Sequence, residues 1–162
     1  MTTSAVTPWT ERLNQMRSVP DRLAALVADA GPAACVRPAP DEWSVCEIIG
    51  HLCAIESPYR ARLARMTLED NPRMAAIGCI TGDYDPATPV RILIETLAML
   101  RGGTVAFLES LTPLDRGRPG VHAELGPVTL RSQVEALSAH DEEHVARIEK
   151  LVSQHNDTKT QA

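Results

Sequence analysis

The chain has 162 residues, a length that suits one domain and can bury a core without disulfide staples. Its 21 acidic against 16 basic residues give a formal charge of −5, which is not the basic footprint of a nucleic-acid binder. Aromatic residues make up only 3%, which argues against base-stacking platforms and against β-sandwiches or barrels, and the Ala, Leu, Arg and Glu that remain favour helices.

Four helical segments follow one another. Thr7 and Pro8 form an N-cap and first-turn proline for the first, which carries Leu13, Met16, Leu23, Leu26 and Val27 and stops before Gly31-Pro32. Pro20 falls inside it and predicts either a kink or two short pieces. The proline-rich stretch 31–41 reads as a loop. In the second helix Ser44 and Glu47 form an S-x-x-E capping box ahead of an apolar stripe, Val45, Ile48, Ile49, Leu52, Ile55, Tyr59, Leu63 and Met66, that ends near Leu68. Residues 69–87 form a long connection with at most one short helical turn.

The third helix starts at Thr88-Pro89 and turns Leu93, Leu97, Leu100, Phe107, Leu108 and Leu111 to the core. Gly102-Gly103 marks either a kink or a close helix contact. Residues 112–128 form a second long loop. The fourth helix runs from Thr129 to about Gln154, with Leu130, Val134, Leu137, Val145, Ile148 and Leu151 inward, and residues 156–162 form a polar, disordered tail. Four single-striped helices bury their faces as a bundle. The expected fold is therefore all-α, one four-helix bundle over 1–155 with two long inter-helix loops and negligible sheet. The loop lengths leave room for an order other than simple up-down-up-down.

No apolar run approaches the ~20 residues of a membrane-spanning helix, and the polar stretch from Met1 to Trp9 carries no secretory h-region. These features predict a cytoplasmic protein whose four cysteines, Cys35, Cys46, Cys53 and Cys79, stay reduced. Cys46 and Cys53 read as small buried hydrophobes on the side of the second helix away from His51.

The chemistry-bearing signal lies in the histidines. His140 and His144 are four residues apart on the fourth helix and share a face. At about 100° per residue His144 lies within about 50° of that helix's stripe centre, with His140 nearer its edge. His51 lies at the edge of the second helix's stripe, beside Ile55. All three fall at the rim of a helix seam, where neutral imidazoles could hold one cation and leave positions for water or substrate. Spacing alone leaves another reading open: two solvated histidines on a charged helix, with His51 a hydrogen-bonded boundary residue.

The segment from Trp43 through Ser44, Glu47 and His51 to Leu52 resembles the W-S-x-x-E-x-x-x-H-L segment of the DinB/YfiT-like four-helix-bundle superfamily. The segment from His140 to His144 resembles that family's C-terminal H-x-x-x-H, and residues 126–130 resemble its entry into the last helix. The resemblance runs from about Trp9 to Val152. It implies a bundle holding a divalent metal through His51, His140 and His144, with zinc, nickel, iron or manganese as the ion. It further implies either transfer involving a low-molecular-weight thiol, such as mycothiol, bacillithiol or glutathione, or metal-assisted hydrolysis of a small molecule. The alternative is a non-catalytic metal-binding or stress-related interaction bundle, in which the third helix could supply a homodimer face.

Asp141 projects close to the centre of the fourth helix's stripe, where a carboxylate needs partners. The favoured expectation is a structural role, accepting from the Trp43 indole or from N–H groups at the start of the second helix; the other is an acid–base or supporting role beside the metal. Trp43 reads as an anchor beside the helix carrying His51. His122 reads as an exposed loop histidine, His155 as a residue near the tail, and Arg60, Arg62 and Arg65 as a solvated basic face.

Overall fold

The computed structural model describes residues 8–28, 30–78 and 85–160. Its long helices are α1 (Trp9–Val27), α2 (Val45–Leu68), α3 (Val90–Glu109) and α5 (Leu130–Thr160), with one turn of helix, α4 (Pro113–Arg116), before the last. The expected four-helix bundle is present. α1 packs on α3 and α5, and α2 packs on α3 and α5, so the order around the bundle is α1-α3-α2-α5. Helices consecutive in the chain are therefore not always neighbours, and the long connections are what permit this. The pairing of α2 with α5 brings the two histidine-bearing helices together.

Each helix begins and ends for local reasons. The Ser44–Glu47 capping box is complete: Glu47 N–H donates to Ser44 Oγ at 3.2 Å and Ser44 N–H to Glu47 Oε2 at 2.8 Å. Arg37 adds an ion pair to the same carboxylate, and its guanidinium holds the Glu47 carboxyl down at about 2. α1 is one continuous helix through the buried Pro20. Thr7, the expected cap, lies outside the described residues, as does Cys79. α3 is likewise unbroken at Gly102-Gly103. Gly103 is the close contact, since a Cβ there would meet the tip of the Arg60 guanidinium. On α3 the fully buried positions include Arg101 and Thr104, whereas Leu100 and Phe107 are only partly buried.

Four expectations need correction. The connections are not free of sheet: β1 (Arg73–Met74), β2 (Pro119–His122) and β3 (Gly126–Thr129) form a three-stranded sheet in that order, β1–β2 parallel and β2–β3 antiparallel. Pro119, Gly120, Gly126 and Pro127 disguise these strands as loop, yet the backbone pairs because Gly126 takes φ +73° to turn the hairpin. Residues 31–41 open with a 3₁₀ turn, Gly31–Cys35, rather than a plain loop. That turn brings Cys35 within a Cα separation of 4.9 Å of Cys46, and the two form a disulfide instead of staying reduced. Finally, α5 continues to Thr160 past the expected end near Gln154, because residues 153–160 contain no proline or glycine to stop it.

The apolar core has two halves. One gathers Val19, Leu23, Leu52, Leu97 and Ile148; the other gathers Met16, Leu63, Val105, Leu108 and Leu137. Between them lies a layer of buried polar side chains: Glu56, Arg101, Thr104 and Asp141.

Candidate metal centre

His51 sits two turns inside α2, and His140 and His144 lie one turn apart on α5. The three Nε2 atoms converge. His140 Nε2 stands 3.1 Å from His51 Nε2 and 3.0 Å from His144 Nε2, and one ligand nitrogen from each ring falls within 4.8 Å of the others. His51 and His144 are buried and His140 is half-buried. Trp43 lies with its ring centroid 5.2 Å from that of His51, the anchoring position expected of it.

This geometry fits a cation. An imidazole Nε2 carries either one proton or one lone pair, so His140 Nε2 can satisfy only one of its two close contacts by hydrogen bonding. The other contact then sets like groups against each other, unless a positive ion lies among the three lone pairs. Separations near 3 Å are those between neighbouring ligands of one ion with bonds of about 2.0–2.1 Å. Electrostatics favour the same neutral state. Burial, and then its histidine neighbours, lower the basicity of His140, and the same causes push His144 down to about 4. Neutral imidazole is the form that ligates metal. The Nδ1 atoms of His140 and His144 are buried and have no hydrogen-bond partner among the described residues.

The triad opens into a cavity of about 510 Å³. Trp43, Tyr59, Ile77, Glu143 and Arg147 line it together with the three histidines. The segment bearing Ile77 and Gly78 leaves the sheet at β1 and is pinned by Arg62, whose Nη2 donates to Ala75 O at 2.6 Å. Arg62 is therefore not on a solvated basic face. It is buried, donates to Gln133 Oε1 at 3.2 Å and stacks 5.1 Å from the Tyr59 ring centroid. Arg65 does sit on the surface, paired with Glu69.

Asp141 is 1% exposed and has neither of its expected partners. Arg101 clamps it, Nη1 to Oδ2 at 2.6 Å and Nη2 to Oδ1 at 2.9 Å. The same guanidinium reaches Glu56 Oε1 from Nε at 2.6 Å, and Thr104 Oγ1 donates to Glu56 Oε2 at 2.6 Å. The Asp141 carboxyl is raised above its ordinary range, chiefly by burial against the pull of Arg101, with repulsion from Glu56 adding to it. Asp141 thus holds the turn of α5 that presents His140 through a buried ion cluster. Asp141 is legible in the sequence as a carboxylate on the stripe, whereas Arg101 and Glu56 are not marked there as its partners. Arg101 follows Leu97 by four residues on the core stripe, and that position was the available signal.

The remaining candidates lie elsewhere. His122 is not the exposed loop histidine expected: it is buried in β2, and its Nδ1 accepts from Glu124 N–H at 3.2 Å and Leu125 N–H at 3.3 Å, closing the hairpin. His155 lies on α5 beside a separate apolar cavity of about 310 Å³. Cys53 donates to Leu93 O at 3.5 Å, and burial pushes its thiol up to about 11. Such a thiol is inert as a nucleophile.

Comparison with known proteins agrees with this architecture. YfiT from Bacillus subtilis, described as a probable metal-dependent hydrolase with an unusual four-helix bundle topology, superposes with a TM-score of 0.79 at 17% identity, covering 96% of this chain and 93% of that one. The DinB-like protein YjoA, also from Bacillus subtilis, superposes with a TM-score of 0.61 at 19% identity, covering 91% and 92%. No curated protein matches the chain. At these identities the structural likeness speaks for the fold. The sequence itself matches the DinB superfamily model over residues 15–148, a span that holds the capping box, all three histidines and the clamp on Asp141. The chain belongs to the DinB superfamily.

Proposed function

We propose that the protein is a divalent-metal-dependent hydrolase acting on a small molecule, with His51, His140 and His144 as the metal ligands. The observation that carries this reading is the convergence of three Nε2 atoms, two of the separations being 3.0 and 3.1 Å, at the wall of an open cavity. A divalent ion held there would supply Lewis-acid polarisation and a lowered pKa for water. The chain's own residues do the rest. Trp43 and Tyr59 bound the cavity with apolar surface, and Glu143 is the one acidic side chain lining it among the described residues, the candidate proton acceptor. The description of YfiT as a probable metal-dependent hydrolase supports hydrolysis over thiol transfer.

The test is metal analysis of the purified protein before and after reconstitution with zinc, nickel, iron or manganese. A panel of small esters, amides and lactones in ¹⁸O-labelled water follows. One bound ion per chain and label in the product are expected. A chain that takes up none of these metals overturns the reading; turnover that requires an added thiol and leaves the product unlabelled replaces hydrolysis with thiol transfer.

A further inference from the structure

Arg147 lines the cavity beside Trp43. Its guanidinium lies 5.8 Å from the Trp43 ring centroid, and Trp43 in turn lies against His51. The contact sets the guanidinium over the Trp43 ring, beside the triad, and uses none of its N–H donors. No hydrogen bond or ion pair engages Arg147 among the described residues. Glu143, one helical turn earlier at a spacing that often pairs, is not within ion-pair distance of it.

Arg60 and Arg131 are likewise without a hydrogen bond or ion pair among the described residues, but neither lines this cavity; several other arginines are committed. Arg22 is held by Glu142, Arg37 by Glu47, Arg101 by Asp141 and Glu56, and Arg62 by Gln133 and Ala75. Arg147 is therefore a positioned cation with its fork of donors unused, facing the same space as the three imidazoles. A planar fork of this kind matches the paired oxygens of a carboxylate or phosphate.

Resting on the metal-centre reading above, we propose that the substrate carries an oxyanion, carboxylate or phosphate, which Arg147 grips over the face of Trp43 while the reacting group lies at the triad. Arg147 is thus the specificity-determining residue of the cavity. The complex is held at two points: the oxyanion on the Arg147 fork and the reacting group at the histidines.

Three hydroxamates test this on the full-length, Co(II)-loaded protein: one with a terminal carboxylate, one with a terminal phosphonate, and a neutral one of matched length. Each is titrated while the cobalt d–d spectrum is followed. At least one anionic probe should bind about tenfold tighter than the neutral one, as expected for one charge-assisted fork. In Arg147→Gln that preference should fall to about threefold or less while the neutral probe keeps its affinity. The preferred anionic arm tells carboxylate from phosphate. Equal binding of all three probes to the wild type, or a preference that survives Arg147→Gln, overturns the proposal. Failure of the metal reading is seen separately, as absence of the d–d band. In that event succinate and inorganic phosphate, titrated against tryptophan fluorescence in wild type and Arg147→Gln, decide the anion site: loss of binding in the variant supports it, and equal or absent binding overturns it.

Discussion

Arg101 supplies the hydrogen bond that Pro20 withholds. Proline has no N–H to offer the carbonyl four residues back, so Met16 O in α1 has no helical donor. Arg101 Nη1, reaching across from α3, donates to it at 3.1 Å. The proline that should break α1 instead opens an acceptor for the guanidinium that also binds Glu56 and Asp141, so three helices besides α3 meet on one side chain.

Arg101→Met should therefore cost about 3–5 kcal/mol, since it strands two buried carboxylates and one carbonyl. Urea unfolding measures this. Replacing Glu56, Arg101 and Asp141 together by apolar residues of similar volume should recover most of the loss, because the desolvation of the ions is then removed with them.

Asp141→Asn should reduce stability by about 2–3 kcal/mol, the cost of weakening a buried charged hydrogen-bond pair. Metal content should fall much less, because the side chain contacts Arg101 rather than the histidines. Parallel measurement of melting temperature and bound metal separates the two roles; a variant of unchanged stability that no longer binds metal would assign Asp141 to the centre instead.

His140→Ala should abolish metal binding while leaving the helical circular dichroism intact. Its Nε2 is the one within hydrogen-bond distance of both other rings. Loss of one ligand should lower affinity by more than about 100-fold, beyond what loss of a supporting residue costs. In the metal-free protein the same change should not destabilise, because it relieves the crowding of three imidazoles.

The metal-free protein should lose stability as pH falls through the histidine range. His144 is held down to about 4, against 6.5 for an ordinary histidine. The unfolded chain therefore binds more protons between those values, and stability present above about pH 6.5 is lost progressively toward pH 4. Urea unfolding across that range should show a positive slope, approaching at most about 1.4 kcal/mol per pH unit from this group. His144→Gln should flatten it.

Reduction of the Cys35–Cys46 disulfide should lower stability by about 2–3 kcal/mol, given the short loop it closes. Cys35→Ser under non-reducing conditions should match the reduced wild type in urea unfolding. Equal stability of reduced and oxidised protein would count against this.

The histidine cluster is more legible in the sequence than the residues that support it. The capping box, the α2 stripe and the His140–His144 spacing are local patterns, and local patterns survive in one dimension. Arg101 was opaque because an arginine on a helix is ordinarily solvated, and only Glu56 and Asp141, 45 and 40 residues away, explain its burial. The sheet was hidden because its short strands contain proline and glycine, and pairing β1 with β2 joins segments on either side of α3. The disulfide depended on how the 3₁₀ turn folds back onto α2, which no cysteine spacing reports. Arg62 was misjudged for the same reason as Arg101: its partners, Gln133 and Ala75, are distant in sequence or on a connecting segment.

The ring order α1-α3-α2-α5 carries a consequence for the timing of assembly. His51 lies 89 residues before His140, and both His140 and His144 belong to the final helix. A chain emerging from the ribosome shows one imidazole of the three until α5 is released and docks against α2. The triad is thus complete only once α5 has docked on α2, and an ion that required all three rings would be captured after that step.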